Sequence, residues 1–213
     1  MATVSLRFIS GVILAAGASA RMGRPKQLLP LGGKPLLRHA VDAALDSCLD
    51  EVVLVLGHRA REIEEVLALA AGSGVRVVVN PDTASGQASS LRLGVRSTSA
   101  SAGAAAILLG DQPGVSAPLI DRVVADFRAA DALAARPEYR AAGGGSVPGH
   151  PVLLARRLWP ELDGLRGDEG ARGVLASRPE GLIAVAVAGE PPPDIDTPED
   201  YQRMLGHRRA DSP

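Results

Sequence analysis

Cysteine occurs once in this chain, at Cys48, which excludes an internal disulfide and a metal cluster built on several thiolates. Aromatic side chains are scarce, with one Trp, two Tyr and two Phe, so the core has to be assembled from Ala, Val and Leu. No excess of either charge is present: the formal net charge is −1, which argues against a basic surface for nucleic acid. No apolar run reaches the ~20 residues of a membrane span, so no membrane partner is expected. Residues 1–8 carry no signal-peptide pattern, and the expected setting is the cytoplasm. Cys48 itself, near Ala44, Leu45 and Leu49, reads as a small core residue rather than a reactive thiol.

What is present is alternation. Apolar runs at 11–14, 51–56, 75–79, 105–109 and 181–187 read as strands, separated by helical patterns at 35–48, 59–71, 88–97 and 117–130. Continuous Val/Leu runs indicate strands buried on both faces, as in a mostly parallel sheet. The 213 residues suit one domain and are short for two, so the expected fold is a single doubly wound α/β domain over 1–213. In such a fold, ligands gather beyond the carboxyl ends of the strands. The second half is less regular. Residues 136–148 read as a hairpin or loop rich in Gly, Pro and Arg, 150–154 as a returning strand, and 158–162 and 168–177 as helical. His39, His58 and His207 read as helix-surface or loop residues.

The stretch 11–37, GVILAAGASARMGRPKQLLPLGGKPLL, concentrates the chemistry. The run Val12-Ile13-Leu14 ends in Ala15, Ala16 and Gly17, and Arg21 and Lys26 follow at fixed offsets. Small residues after a strand let backbone N–H groups close on an anion, and a nearby Arg and Lys neutralise a polyphosphate. No Gly-Lys-Ser/Thr and no G-x-G-x-x-G occurs, so neither of the two familiar phosphate loops is present. A plain strand-to-helix turn with solvated Arg21 and Lys26 fits the spacing equally well.

Further polar groups sit at strand ends. Asp111 follows Ile107-Leu108-Leu109-Gly110, where a carboxylate suits Mg²⁺ beside a nucleotide or, equally, a Gly/Pro turn. Asp194 and Asp196 precede a helix that Thr197 and Pro198 can begin, so neither is needed for capping. Asn80 and the loop Ser85-Gly86-Gln87-Ala88-Ser89-Ser90 offer hydroxyls and N–H donors, or an ordinary N-cap. His150 lies between Gly149 and Pro151. Arg166 and Arg172 suit an anionic acceptor, and Asp168 with Arg172 also suits a helical i,i+4 ion pair.

The string from Leu14 to Lys26 resembles the signature L-A-A-G-x-S-x-R-M-G-x-x-K of the MobA-like nucleotidyltransferases, most of all the molybdenum cofactor cytidylyltransferases. The resemblance continues through NPDTASGQASSLRLGV (80–95), LLGDQPGV (108–115), GHPVLL (149–154), LRGDEGAR (165–172) and DIDTPEDY (194–201), in the family's order. It implies the nucleotide-diphospho-sugar transferase fold, with a nucleotide-binding half at about 9–135 and an acceptor half at about 136–206. It implies transfer of CMP from CTP to the phosphate of molybdenum cofactor, with pyrophosphate released.

The resemblance also implies roles. Lys26 and Arg21 act on the phosphates, and Asp111 and Asp196 hold Mg²⁺, with Mn²⁺ as the alternative. Leu14, Ala15, Ala16, Gly17, Asn80, Ser85, Gly86 and Ser89 contact the nucleotide, while His150, Arg166 and Arg172 face the acceptor. Guanylyl-selective members tend to carry Leu-Ala-Gly-Gly where this chain has Leu-Ala-Ala-Gly, which favours CTP over GTP. A guanylyltransferase, a cytidylyltransferase with another phosphate acceptor, and a non-catalytic maturation factor that hands cofactor to a molybdenum hydroxylase remain open. A molybdenum hydroxylase is also the expected recipient of the product.

Overall fold

Every residue of the first strand, β1 (Ile9–Ala15), is buried, and the sheet is laid out on either side of it. The computed structural model describes residues 6–19, 22–69, 72–140 and 144–210, with backbone alone for 207–210. After β1 come the short antiparallel pair β2 (Pro30–Leu31) and β3 (Lys34–Pro35), then α1 (Leu36–Leu45), β4 (Glu51–Leu56), α2 (Ala60–Leu67) and β5 (Val75–Val79). The chain continues with α3 (Gln87–Arg96), β6 (Ala104–Leu109), α4 (Ala117–Ala129), β7 (Ala134–Arg140), β8 (Ser146–Pro148) and β9 (Val152–Ala155). It ends with α5 (Arg172–Ser177), β10 (Leu182–Val187) and α6 (Pro198–Ala210).

The strand order is β10-β7-β9-β6-β1-β4-β5, with β8 paired to β7. Strands β5, β4, β1 and β6 pair in parallel, as do β7 and β10. Strand β9 runs antiparallel between β6 and β7, so the sheet is mixed but mostly parallel. The five strands expected from apolar runs all form. Period-2 alternation then sorts their side chains between two layers. Ile9, Ile13 and Ala15 of β1 and Val52, Leu54 and Leu56 of β4 pack toward α1, α2 and α4. Val12 and Leu14 of β1 and Val53 and Val55 of β4 pack toward α3 and α5. Among the described residues no helix is long and apolar enough to cross a membrane.

Several local readings need correction. Helix α1 stops at Leu45, so Cys48 falls in the turn before β4 and is exposed, not in the core. His39 is buried rather than on the surface, because it shares the inward face of α1 with Leu36 and Ala40 and its Nε2 lies 2.8 Å from the Leu31 carbonyl oxygen. Residues 158–162 belong to a 3₁₀ segment, Arg156–Gly164, that carries Pro160 inside it. Helix α5 begins only at Arg172, since Gly167 and Gly170 turn the preceding chain at φ 55° and 57°. Of the two readings of 136–148, hairpin or loop, the hairpin forms, as the antiparallel pair β7–β8; 141–143 lie outside the described residues.

At the end of β4, Gly57 lets three segments meet: a Cβ there would lie 2.5 Å from the Ala16 carbonyl oxygen and 2.6 Å from Thr83 Cγ2. One of those neighbours is backbone, so it cannot swing away. Gly57→Ala is expected to destabilise the fold by about 1–3 kcal/mol, read as a lower urea midpoint with unchanged slope.

Candidate active site

The loop after β1 is held open by a side chain that the sequence reading passed over. Gln27 is buried, and its Nε2 donates to the carbonyl oxygens of Ala15 (2.9 Å) and Gly17 (3.1 Å). Ser19 Oγ donates to Gln27 Oε1 at 3.3 Å and accepts from the Lys26 backbone N–H at 3.1 Å. Both protons of one amide are thus spent on fixing the curve of residues 15–17. Beside them, the Gly110 N–H donates to the Leu14 carbonyl oxygen, joining β1 to the end of β6.

Two remote segments converge on Lys26. Its Nζ donates to Asp111 Oδ2 at 2.6 Å and to Asp196 Oδ1 at 2.8 Å. Burial opposes the lysine charge, but the two carboxylates outweigh it and hold the pKa above the usual 10.5. The Ile195 N–H donates to the Asp111 carbonyl oxygen, and the Ile195 side chain is fully buried with Leu29, Leu31, Leu36 and Tyr201. That apolar anchor fixes Asp194 and Asp196 on either side of it. Thr197 and Asp200 then cap α6 reciprocally: Asp200 Oδ2 accepts from the Thr197 N–H and Thr197 Oγ1 from the Asp200 N–H. Gln112 Nε2 donates to Asp194 Oδ1 at 2.7 Å. Burial and the neighbouring Asp111 and Asp196 charges push the Asp194 pKa up, against the pull of Gln112 and Lys26.

These groups form one end of a cleft of about 520 Å³. The other end is built by Thr83, Gly86, Gln87, Ser90 and Asp168, with residues 14–19 and Leu109–Gly110 completing the wall. Of the residues singled out from sequence, Leu14, Ala15, Ala16, Gly17, Lys26, Gly86, Asp111 and Asp196 line this cleft. Asp194 lines it too. Asn80, Ser85 and Ser89 do not. Asn80 Nδ2 donates to the hydroxyls of Ser89 and Ser90, and Ser89 Oγ donates to the carbonyls of Asp82 and Gly86, so these two side chains brace the loop from within. Arg21 lies outside the described residues.

The residues expected to face the acceptor are placed differently from one another. Arg166 is exposed and donates to the carbonyls of Asp163 and Leu165. Arg172 is exposed, and no ion pair with Asp168 forms; Asp168 instead accepts the Gln87 N–H. His150 is half-buried off the cleft wall, with a buried and unpartnered Nδ1. Burial pushes its pKa down to about 4, opposed by the Asp111 charge and reinforced by that of Arg172. Gln27 and Gln112 carry no signal of their own in the sequence, because an amide next to a charged residue is ordinary surface composition.

The donor set suits a hard divalent cation. Asp111 Oδ1 is buried with no hydrogen-bond partner among the described residues, an oxygen open to a cation. Asp111 and Asp196 together offer the one or two carboxylates that Mg²⁺ takes alongside phosphate and water. Among the described residues no group of three or more His, Cys, Asp or Glu is placed to hold a metal unaided, so phosphate oxygens and water complete any such shell.

Comparison with known proteins follows the same lines. A family model described as the MobA-like NTP transferase domain matches residues 11–182. The chain is 34% identical over 210 residues to "Nicotine blue oxidoreductase" of Paenarthrobacter nicotinovorans, covering 96% of this chain and 100% of that one. It is 36% identical to "Purine catabolism protein PucB" of Bacillus subtilis, covering 95% and 97%. It is 28% identical to "Molybdenum cofactor cytidylyltransferase" of Escherichia coli, covering 91% and 93%. Among solved structures, the manganese complex of Rv0371c from Mycobacterium tuberculosis superposes with a TM-score of 0.78 at 33% identity, covering 93% of this chain and 98% of that one.

Two outcomes follow from the geometry. Gln27→Leu leaves two carbonyls without their donor and is expected to cost about 1–3 kcal/mol, measured by urea unfolding. His150 has a folded pKa below its unfolded value, so between pH 6.5 and about 4 the unfolded chain takes up a proton that the folded chain refuses. Stability therefore falls as pH drops through that window and levels off below it. In His150→Gln the difference in unfolding free energy between pH 7 and pH 4 is expected to shrink by about 3 kcal/mol.

Proposed function

Since the chain belongs to the MobA-like NTP transferase family, we propose that it joins CMP from CTP to the phosphate of molybdenum cofactor, in the cytoplasm. The observation that carries this reading is the Lys26 ammonium shared by Asp111 and Asp196 at the mouth of the small-residue loop. A cation there neutralises a triphosphate, and two carboxylates beside it suit a divalent ion, Mg²⁺ or Mn²⁺. The ion, when bound, supplies charge neutralisation to the nucleotide phosphates. The Leu14-Ala15-Ala16-Gly17 sequence and the similarity to a cytidylyltransferase support CTP as the donor.

In the proposed reaction an oxygen of the cofactor phosphate attacks the α-phosphorus of CTP. The new P–O bond forms as the bond from the α-phosphorus to the oxygen bridging the β-phosphate breaks, and the electron pair leaves with pyrophosphate. The attacking phosphate is already anionic, so no general base is required. Catalysis then rests on in-line positioning and on charge neutralisation. Lys26, joined by Arg21, acts on the reacting phosphates and the departing pyrophosphate. Backbone groups of residues 14–17 and the loop that carries Ser85, Gly86 and Ser89, braced by Asn80, hold the nucleotide. His150, Arg166 and Arg172, in the 136–206 half, serve the acceptor, and a molybdenum hydroxylase receives the product.

The test is product formation from purified molybdenum cofactor and a divalent cation with CTP, GTP, ATP and UTP in parallel. Pyrophosphate and a cytidylyl-pterin product with CTP alone are expected. Product from GTP would overturn the choice of base, and no product from any nucleotide with folded protein would overturn transferase activity. Lys26→Ala is expected to lower turnover by about 100-fold or more, with a much smaller change in nucleotide affinity. An unchanged rate removes Lys26 from the reaction. Asp111→Asn is expected to lose most of the activation by divalent cation.

A further inference from the structure

The end of the cleft away from Lys26 is closed by a piece of the acceptor half. The turn 165–170 lies directly on the first turn of α3: the Ala88 N–H donates to the Gly167 carbonyl oxygen at 2.9 Å, and the Gln87 N–H to Asp168 Oδ1 at 3.0 Å. The approach is so close that a Cβ on Gly86 would sit 2.4 Å from the Gly167 carbonyl carbon and 2.8 Å from Asp168 Oδ1. Gly86 also has φ +79°, which only glycine adopts without strain. Asp168 is therefore fixed by two backbones rather than left to wander. Its second oxygen, Oδ2, has no hydrogen-bond partner among the described residues, and the residue lines the cleft.

The two ends of the cleft differ in what they accept. Lys26, with the divalent cation that Asp111 and Asp196 would hold, claims the triphosphate, whereas Asp168 stands at the other end with no cation beside it among the described residues. A nucleotide with its phosphates at Lys26 thus directs its base toward Thr83, Gly86, Gln87 and Asp168. An ionised carboxylate only accepts hydrogen bonds. Cytosine presents an amino group at C4, a donor; uracil presents a carbonyl oxygen there, an acceptor.

We propose that Asp168 is a specificity-determining residue that accepts a hydrogen bond from the 4-amino group of a cytosine nucleotide and rejects the 4-oxo group of uracil. This inference rests on the reading of the cleft as a CTP site and names the atom that selects the base. Asp168 is exposed at the edge of the cleft, so the discrimination it supplies is that of one hydrogen bond to a charged, solvated group, about 10-fold.

The test is equilibrium binding of CTP and UTP to the full chain by calorimetry, with Mg²⁺ and without acceptor. The wild-type protein is expected to bind CTP at least about 10-fold more tightly than UTP. In Asp168→Asn the amide oxygen stays on the Gln87 N–H and the amide nitrogen turns to the cleft, a donor facing the base. The CTP-to-UTP preference is expected to fall by about 10-fold or more, through tighter UTP binding as well as weaker CTP binding. An unchanged preference in a variant with unchanged Tm overturns the inference. A second measurement needs no variant: the triphosphate of pyrimidin-2-one riboside, which lacks the 4-amino group, is expected to bind the wild-type protein about 10-fold more weakly than CTP, and equal affinity overturns the inference. Wild-type protein that binds CTP and UTP equally overturns it while leaving transferase activity to the separate product assay. Protein that binds neither pyrimidine nucleotide overturns it together with the choice of CTP.

Discussion

A single ammonium group holds this site together. Lys26 Nζ touches carboxylates that lie 85 and 170 residues further along the chain. The contacts tie the loop after β1 to the end of β6 and to the segment before α6. Remove the cation and Asp111, Asp194 and Asp196 face one another as like charges beside a cleft. Half-buried ion pairs of this kind are weak contributors to stability, because desolvation offsets most of the Coulomb attraction. Their value here is exchange. Were a divalent ion held by Asp111 and Asp196, its charge would free the Lys26 ammonium to face a phosphate.

The scaffold explains why that cluster sits where it does. The chain leaves β1 toward β4 on one side and returns to β6 on the other, so the carboxyl ends of β1 and β6 flank the crevice at which α/β sheets bind ligands. Helices α1 and α2 cover one face and α3 the other, which leaves the first turn of α3 free to frame the far wall. Small contacts then set the details: Gln27 curves the loop, Gly57 lets Ala16 and Thr83 approach, and buried Ile195 presents the acids on either side of it. A chain with so few aromatic residues can do this because its glycines and alanines permit backbone to lie against backbone.

Much of this was legible in the sequence, and what was not has physical reasons. The runs of β1, β4 and β6 gave their strands because burial on both faces leaves few polar residues to blur them, while the edge strands β5 and β10 are only partly buried and were legible from their Val and Ile content. Strand β7 was only partly legible: 136–148 read as a hairpin or a loop, and the hairpin forms, but the start of the strand at Ala134 and the burial of Ala134, Ala135, Pro137 and Tyr139 by β9, β8 and β10 were not visible in the pattern. Lys26, Asp111 and Asp196 stood out as charged residues at strand or helix ends, and they meet. Asn80 and Ser89 stood out for the same reason, and they turn inward to brace α3, since nothing in a local pattern tells a donor that faces a ligand from one that faces a backbone. Asp168 read as a partner for Arg172 at helical spacing. Two glycines at positive φ break that helix and send the carboxylate to the Gln87 N–H.

The most direct test of the Lys26 cluster as a nucleotide–metal centre is anomalous diffraction from crystals grown with Mn²⁺ and a CTP analogue that cannot release pyrophosphate. The account predicts a manganese peak on the carboxylates of Asp111 and Asp196, with Lys26 Nζ swung onto the phosphates. A nucleotide in the cleft with Lys26 still bridging both carboxylates, and no manganese beside them, would contradict it.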